Sequence, residues 1–475
     1  MTPITKKQYV ISTRKLSLEG VTEYRLFGRY IYVGDGLKIT ACESADGQPL
    51  LLLGHAYCMD QVDKRVEDDM WAFTGDDLCE LTRYWTGRWV LVTQTQLITD
   101  AAGLMSVFYH TEENGYVISS SLALMADALG LPVERSVPTT GLTWQLLPRT
   151  LVPAVKALLC TQQITFKESG LSVESAMWMQ DRRSFSTEEK CKAVADMLTN
   201  AAKNIYAFSD QPLMLALTGG KDSRVTMAAL LHAAVPFEAY TAEHEMISYA
   251  DKRVPPALCH LFGVPYRYVS AKQFNAERFA DYQHFGAKNS NGADAQFYAR
   301  GQYDALGDTI VLRSGLYEAG QTYGRSIAEA ASFAEGRCNY YSDLKTDSAQ
   351  RAALNEWLET VRGNADGFVD IRDRFYIEQR VGGWAAAIEQ SMDMNEFTSI
   401  QIANCAELLS VLLSCNEEER QSLALSYGTM RVLEPRVLEI PVNKKVLADR
   451  LAHGCHILRH PITKLQNFLH KKHRR

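Results

Sequence analysis

The hydrophobic pattern divides the chain into two parts. Up to about residue 180, short runs of aromatic and β-branched residues alternate with turn residues, which is typical of strands. A short helix is predicted over 121–129, and Asn114-Gly115 marks a tight hairpin turn. The first part therefore predicts an α+β domain. Strands are predicted within 24–40, broken by a turn at Gly34-Asp35-Gly36, and hairpins are predicted over 88–99, 107–120 and 162–173.

From about residue 181 the pattern changes to alternating strands and helices. Ser186 followed by Glu189 forms a capping box, and apolar residues follow it at helical spacing. This alternation is typical of a parallel sheet covered by helices, and the rest of the chain is predicted to be largely helical. We place the domains at 1–180 and 181–475. Strands are predicted at 212–217, 237–241, 266–269 and 309–312, with helices at 223–234, 249–262 and 293–306.

Composition and charge narrow the class of protein. There are 50 Lys and Arg against 56 Asp and Glu, for a net charge of −6, which argues against a general nucleic-acid binder. The 10 cysteines form no C-x-x-C pair, so no zinc site is indicated, and scattered thiols fit a reducing compartment. No apolar run is long enough to span a bilayer, and the first residues lack a secretory signal pattern. We expect a soluble, cytoplasmic protein.

One segment, 217–223, contains residue types that are typical of a phosphate-binding turn. The sequence L-T-G-G-K-D-S over 217–223 falls where a predicted strand gives way to a predicted helix. Paired glycines allow a sharp turn, and a helix N-terminus favours phosphate. Asp222 would repel a bare phosphate, so a divalent cation is expected between them. Walker A spacing is absent. The segment predicts a nucleotide–Mg²⁺ site whose nucleotide-binding residues are Leu217, Thr218, Gly219, Gly220, Asp222 and Ser223.

This motif resembles the S-G-G-x-D-S pyrophosphate loop (PP-loop) of ATP pyrophosphatases, in particular of the asparagine synthetase-like family. The segments 248–265, 311–318, 375–393 and 438–445 are similar to later landmarks of that family. The segments 81–109 and 117–124 resemble its glutaminase-type domain. The resemblance implies an Ntn-type αββα sandwich (glutaminase-like) followed by an α/β PP-loop domain, and it spans most of the chain.

Two positions depart from the family pattern. Members that use glutamine carry a Cys directly after the initiator Met, whereas this chain has Thr2 and Pro3, so we expect a degenerate glutaminase-like domain without its chemistry. At the metal turn, Gly315-Leu-Tyr-Glu318 is one residue shorter and holds a single acid. We assign Gly315 to the nucleotide and Glu318, with Asp222, to Mg²⁺. Tyr317 faces either the substrate or the core.

The resemblance also implies a reaction. A substrate carboxylate attacks the α-phosphorus of ATP to give an acyl-adenylate and pyrophosphate, and an amine then displaces AMP. A lysine that stabilises the pyrophosphate is assigned to Lys444, with Lys445 as the alternative. A carboxylate that holds or deprotonates the amine is assigned to Glu389, with Glu378 as the alternative. The nearby aromatic residues are predicted to belong to the core: Phe375, Tyr376 and Trp384.

These features predict an ATP-dependent, AMP-forming ligase that joins a carboxylate to an amine or ammonia as an amide or lactam. Relatives with this combination look like lasso-peptide (macrolactam) cyclases or polysaccharide-cluster amidotransferases. The substrate is therefore a peptide, a glycan or a small molecule, with biosynthetic-cluster proteins as possible partners. One alternative is a non-catalytic ATP-binding scaffold. Another is a PP-loop RNA-modifying enzyme, which predicts paired cysteines and a basic surface that this sequence lacks.

Overall fold

The computed structural model describes residues 4–134, 142–168, 170–244, 247–286, 292–321, 343–363 and 368–443. The strands of the first part are β1 Tyr9–Ser12, β2 Val21–Leu26, β3 Arg29–Gly34, β4 Ile39–Glu43, β5 Pro49–Cys58, β6 Trp85–Val92, β7 Gln96–Thr99, β8 Phe108–Glu112, β9 Gly115–Ser119, β10 Lys156–Ala157, β11 Gln162–Lys167 and β12 Gly170–Ser175. Its helices are α1 Val66–Ala72, α2 Leu78–Leu81 and α3 Leu122–Leu129.

The second part begins with the long helix α4. Its strands are β13 Leu213–Ala216, β14 Glu238–Ala242, β15 Tyr266–Val269, β16 Ile310–Arg313 and β17 Thr398–Gln401. Its helices are α4 Thr187–Phe208, α5 Asp222–His232, α6 Tyr249–Phe262, α7 Ala276–Phe285, α8 Gly292–Ala299, α9 Asp343–Thr346, α10 Ser348–Gly363, α11 Ile371–Phe375, α12 Ala386–Met392, α13 Ala406–Leu413, α14 Glu417–Gln421 and α15 Ala424–Leu433. A π-helix, Tyr376–Ala385, joins α11 to α12, and short 3₁₀ turns occur at Tyr303–Ala305, Tyr317–Gly320 and Pro435–Leu438.

Two antiparallel six-stranded sheets build the N-terminal part. Their strand orders are β10-β8-β9-β1-β3-β2 and β12-β11-β7-β6-β5-β4. Side chains alternate between the faces of a strand, so Tyr9 and Ile11 point into a core shared with Leu51 and Val90 of the second sheet. The other face of the first sheet packs on α3 and α10, and that of the second sheet packs on α1 and α2. The predicted mixture of antiparallel sheets and helices is confirmed, while its assignment to the Ntn type stays a prediction.

The three predicted hairpins are confirmed, as β6–β7, β8–β9 and β11–β12. The predicted turn at Gly34-Asp35-Gly36 is also confirmed, since it ends β3 and leads the chain to β4 in the second sheet. A further hairpin, β2–β3, was not predicted. Its chain reverses at Phe27-Gly28, where both residues have positive φ, as a type I′ hairpin loop requires.

The C-terminal part contains the predicted parallel sheet. Its order is β15-β14-β13-β16-β17, and every neighbouring pair is parallel. Helices cover both faces. The capping box at Ser186 and Glu189 opens α4 as predicted. Strand β17 was not predicted. Strands β14 and β15 extend the sheet on one side of β13, whereas β16 and β17 extend it on the other side. The strand order therefore reverses between β13 and β16.

Buried polar contacts join the two parts beside the sheet. Arg88 on β6 makes two hydrogen bonds to the Asp393 carboxylate, at 2.6 and 2.8 Å. Lys7 donates through Nζ to the Phe397 carbonyl at 2.8 Å. Asn404 donates to Asp100 Oδ1 at 2.7 Å. The N-terminal part therefore fixes the segment 393–404 around β17. The boundary near residue 180 stays a prediction. Within the described residues, no helix has the length and apolar character that a bilayer crossing needs.

The π-helix packs against the N-terminal part through Gly383. A Cβ at this position would lie 2.8 Å from Cδ1 of Trp144. We expect Gly383→Ala to lower the free energy of unfolding by about 1–3 kcal/mol, because extra atoms in a packed interior force neighbours apart. Replacing an exposed helical glycine with alanine would instead raise the free energy of unfolding by up to about 1 kcal/mol. The sign of the change in the free energy of unfolding, measured with urea, therefore tests the contact. Gly170→Ala is the control, since a Cβ there meets no atom within 4 Å.

Candidate functional site

A cavity of about 390 Å³ opens beside β13 and β16, at the point where the strand order reverses. Open parallel sheets bind ligands at such a reversal, beyond the carboxyl ends of the strands. The volume is that of a small-molecule site. Residues from β13 and α5 form one side of the cavity: Ala216, Thr218, Asp222 and Ser223. Residues from β16 and the turn after it form another: Arg313, Ser314, Gly315, Leu316 and Glu318.

The predicted strand–turn–helix context of 217–223 is confirmed, since this segment joins β13 to α5. Hydroxyl groups close the turn: Ser223 Oγ lies 3.0 Å from Thr218 Oγ1 and accepts from the Thr218 N–H at 3.1 Å. The role of Leu217 at the nucleotide stays a prediction. Its side chain is buried in the core and its N–H donates to the Tyr240 carbonyl, because it continues the sheet one residue beyond β13. It does not line the cavity.

The two glycines of this turn lie against other parts of the chain. A Cβ at Gly219 would approach the carbonyl carbon of Ala250 to 3.0 Å, so the close packing favours glycine. The Gly219 N–H donates to Asp251 Oδ1 at 2.7 Å, and Ser248 Oγ donates to Oδ2 at 2.7 Å. Gly220 donates its N–H to Thr218 Oγ1 at 3.2 Å. The glycines thus form the turn, while Thr218, Asp222 and Ser223 line the cavity.

The C-terminal segment also contacts this turn. Asn443 donates its N–H to the Gly219 carbonyl at 3.1 Å. The Arg224 guanidinium, fully buried on α5, donates to the carbonyls of Val437 (2.9 Å) and Ile440. Burial without a carboxylate partner lowers the pKa of Arg224 to about 10. These contacts hold 437–443 against α5. The predicted catalytic lysine, Lys444, and its alternative Lys445 lie outside the described residues.

Two carboxylates, those of Asp222 and Glu318, line the cavity, and their role as Mg²⁺ ligands stays a prediction. Asp222 accepts from Gln321 Nε2 at 3.0 Å, and Lys221 Nζ lies 3.7 Å from its other oxygen. Glu318 accepts from the Tyr376 hydroxyl at 3.1 Å. Burial raises the pKa of both carboxyl groups, and the Asp222 charge raises the pKa of Glu318 further. The two groups therefore lie within electrostatic reach of one another.

This donor set fits a magnesium ion that also binds phosphate. Mg²⁺ in proteins takes one or two carboxylates and completes its shell with water and substrate phosphates. Asp222 and Glu318 supply two hard oxygen ligands whose mutual repulsion a cation would relieve. In the described part of the chain, no group of three or more His, Cys, Asp or Glu side chains is placed to hold a metal. Asp222 and Glu318 would therefore bind Mg²⁺ only when water and the phosphate oxygens of a bound nucleotide complete its coordination shell.

The π-helix forms a third wall of the cavity. Its hydrogen bonds run from residue i to i+5, so residues four or five apart share a face. The cavity-lining residues follow that spacing: Tyr376, Arg380, Val381, Trp384 and Ala385. Tyr376 is buried in the core, as predicted, and Trp384 is partly buried against core residues. Both side chains also border the cavity. Phe375 is buried as predicted.

The two candidate carboxylates, Glu378 on the π-helix and Glu389 on α12, have different surroundings. Glu389 lines the cavity on α12. Its Oε1 accepts from Gln401 Nε2 at 2.8 Å and lies 3.3 Å from Arg313 Nη1, whereas Oε2 is buried with no hydrogen-bond partner among the described residues. Glu378 lies away from the cavity, and both its oxygens are occupied. Its donors are Thr161 Oγ1 (2.8 Å), Trp357 Nε1 (2.6 Å) and Arg374 (2.7 and 3.0 Å).

Several site residues were not predicted from the sequence. Arg313 and Gln401 end neighbouring strands, and a polar residue closing an apolar strand is the signal that could have found Arg313. Gln401 also accepts from the Gly315 N–H at 2.7 Å, which ties the turn after β16 to β17. Tyr317, left open above, belongs to the core: it is buried and its hydroxyl lies 3.1 Å from Thr226 Oγ1.

No protein-family model and no curated protein matches the chain. Solved structures align at low similarity. Glutamine-dependent NAD+ synthetase from Acinetobacter baumannii, in complex with ADP, is 17% identical over 36% of this chain and 34% of its own, with a TM-score of 0.22. Glutamine PRPP amidotransferase from B. subtilis, complexed with ADP and GMP, is 11% identical over 57% and 61%, with a TM-score of 0.21. NMN synthetase from Francisella tularensis is 14% identical over 53% and 96%, with a TM-score of 0.19.

The aligned region spans about a third of the NAD+ synthetase chain. Likenesses of this size assign neither a family nor an activity. The functional conclusion therefore rests on the geometry of the cavity and on the residues that line it.

Proposed function

We propose that this chain is an ATP-dependent, AMP-forming ligase without glutaminase activity. It would activate a substrate carboxylate and join it to an amine or ammonia as an amide or lactam. The observation that carries the proposal is the pair of carboxylates, Asp222 and Glu318, in one cavity with the N-terminus of α5 at the reversal of strand order. The asparagine synthetase-like resemblance of the motif at 217–223 supports the same assignment.

Different residues of the cavity would bind the phosphates of ATP and the Mg²⁺ ion. The turn at Thr218 and the N-terminus of α5 would receive the phosphates, because the first turn of a helix favours anions. Asp222 and Glu318 would hold Mg²⁺, which when bound supplies charge neutralisation to the pyrophosphate leaving group. Lys221, next to Asp222, adds a positive charge at the same place. Lys444 keeps its proposed role at the pyrophosphate.

The proposed reaction has two steps, adenylation of the carboxylate and formation of the amide. First, a carboxylate oxygen bonds to the α-phosphorus as the bond to the β-phosphate oxygen breaks, releasing pyrophosphate. Then the amine nitrogen bonds to the acyl carbon, and AMP leaves with the original carboxylate oxygen. The amine must lose a proton, and Glu389 Oε2 is a suitable acceptor, because Gln401 and Arg313 engage only Oε1.

A specific contact favours the alternative of a non-catalytic ATP-binding scaffold. The Gly219 N–H, a donor that a phosphate could use, is taken by the Asp251 carboxylate at 2.7 Å. If that contact persists with nucleotide bound, the turn offers fewer donors to the phosphates. The scaffold hypothesis predicts nucleotide binding without turnover.

A pyrophosphate-release assay distinguishes the two functions. Purified protein, ATP and Mg²⁺ are mixed with ammonium or amines and a panel of carboxylates: amino acids, peptides with Asp or Glu side chains, and uronic-acid glycans. The ligase predicts equal amounts of AMP and pyrophosphate that depend on one class of carboxylate, with an amide product detected by mass spectrometry. ATP binding by calorimetry with no AMP formed from any carboxylate would favour the scaffold.

A further inference from the structure

Arg380 holds an unusual position on the cavity wall. Its Cζ lies 3.4 Å from the centroid of the Trp384 ring and 5.5 Å from that of Trp144, so its guanidinium is flanked by two indoles. Arg380 and Trp384 both line the cavity. Among the described residues, Arg380 makes no hydrogen bond or ion pair, whereas the other cavity arginine, Arg313, lies 3.3 Å from Glu389.

The stacking leaves the hydrogen-bonding edge of the guanidinium available. A guanidinium that packs its face on an indole keeps its N–H donors in the ring plane, where a carboxylate or phosphate can accept two of them at once. Trp384 adds a second donor, because its Nε1 is buried without a partner in the described part of the chain. Arg380 lines the same cavity as Asp222 and Glu318.

We propose that Arg380 and Trp384 form an oxyanion subsite, which holds a carboxylate or phosphate group of a bound substrate. The inference rests on the proposed function and adds a binding determinant to it. The two sources of the anion are the ATP phosphates and the carboxylate substrate.

The N-terminal part completes this subsite. Trp144 lies 5.5 Å from the Arg380 guanidinium, and Gly383 allows the π-helix to approach this indole closely. Gly382 packs in the same way, since a Cβ there would lie 3.2 Å from the Ala102 carbonyl oxygen. The N-terminal part would therefore take a role in substrate binding, by fixing the orientation of one arginine.

The subsite is tested by measuring, by calorimetry, the binding of four probes to Arg380→Met and to wild type. The probes are Mg²⁺ with AMPCPP, whose α–β bridge is a methylene that the proposed reaction cannot cleave, inorganic pyrophosphate, glutarate and L-glutamate. We expect affinity for one class of probe to fall about 10- to 100-fold, the usual effect of losing charge-assisted hydrogen bonds. Loss for AMPCPP and pyrophosphate identifies phosphate as the ligand, and loss for the carboxylates identifies the substrate carboxylate. Arg380→Lys should not restore binding, because an ammonium lacks the planar fork.

The matched control is Arg25→Met, since Arg25 stacks on Tyr30 at 4.0 Å on an edge strand outside the cavity. It should leave every affinity unchanged. Trp144→Ala should weaken the same class of probe as Arg380→Met, and unchanged binding would remove the N-terminal part from the subsite. Equal affinities in Arg380→Met and wild type, or no probe bound by wild type at about 10 mM, would overturn the proposal. Binding that depends on Arg380 in a protein that releases no pyrophosphate would keep the subsite and reject the ligase.

Discussion

Asp222→Asn should abolish ATP turnover while raising the melting temperature of the ligand-free protein. Turnover should fall at least about 10³-fold, because the variant loses a charge that would hold the cation against the phosphates. The gain in stability has a separate cause. Burial raises the pKa of Asp222, so its charged form is disfavoured in the folded state near neutral pH, and its charge repels Glu318. Removing that charge should add about 0.5–2 kcal/mol to the free energy of unfolding.

Pyrophosphate release and thermal melting measure the two effects on the same samples. Asp196→Asn is the control, because Asp196 is an exposed carboxylate on α4 and should change neither quantity. Glu318→Gln should behave like Asp222→Asn, and the double variant should lose little more activity than either single one, as for residues that act on one ion. Turnover retained by Asp222→Asn would contradict the ligase mechanism.

Glu378→Ala should destabilise the protein by about 3–5 kcal/mol, the usual cost of leaving one member of a buried ion pair without its partner. Its side chain is fully buried and pairs with Arg374 at 2.7 Å. The substitution would also leave Trp357 Nε1 and Thr161 Oγ1 without the acceptor they now use. Urea unfolding followed by circular dichroism gives the change in free energy.

The contrasting variant is Glu389→Gln, which keeps the shape of the side chain. It should change stability by less than about 1.5 kcal/mol and still remove amide formation, because an amide cannot accept the amine proton. A double variant, Glu378→Leu with Arg374→Met, should recover most of the stability lost in Glu378→Ala, as buried ion pairs replaced by apolar residues often do. Equal destabilisation by the Glu378 and Glu389 substitutions would show that both carboxylates are structural.

The order of elements from β13 to β15 could be predicted to within one or two residues. Short apolar runs, the capping box at Ser186 and the paired glycines are local signals, and the helix 249–262 and strand 266–269 have the predicted bounds. The pairing of Asp222 with Glu318 came from the family resemblance of 217–223 and 311–318, and both side chains line one cavity. The part of the fold with strong local signals was therefore predictable.

The remaining features depend on contacts between distant residues. The segment Tyr376–Ala385 is helical as predicted, but its wider π-helical turn accompanies close packing of Gly383 on Trp144, which no local pattern encodes. Strand β17 has 4 residues and is defined by its pairing with β16. The contact between Asp251 and Gly219 joins residues 32 apart in sequence. These long-range contacts place Arg380, Gln401 and Asp251 in or beside the site.

The contact of Arg224 with the carbonyls of 437–440 also determines how late in protein synthesis the candidate nucleotide site can form. Arg224 and Val437 are 213 positions apart, so a ribosome releases the acceptor carbonyls long after α5 has emerged. Until then the guanidinium has only water or temporary partners, and Gly219 lacks its bond from Asn443. Nascent chains halted before residue 437 should consequently expose this helix to proteolysis, and competence to bind nucleotide would be among the last properties that the growing polypeptide acquires.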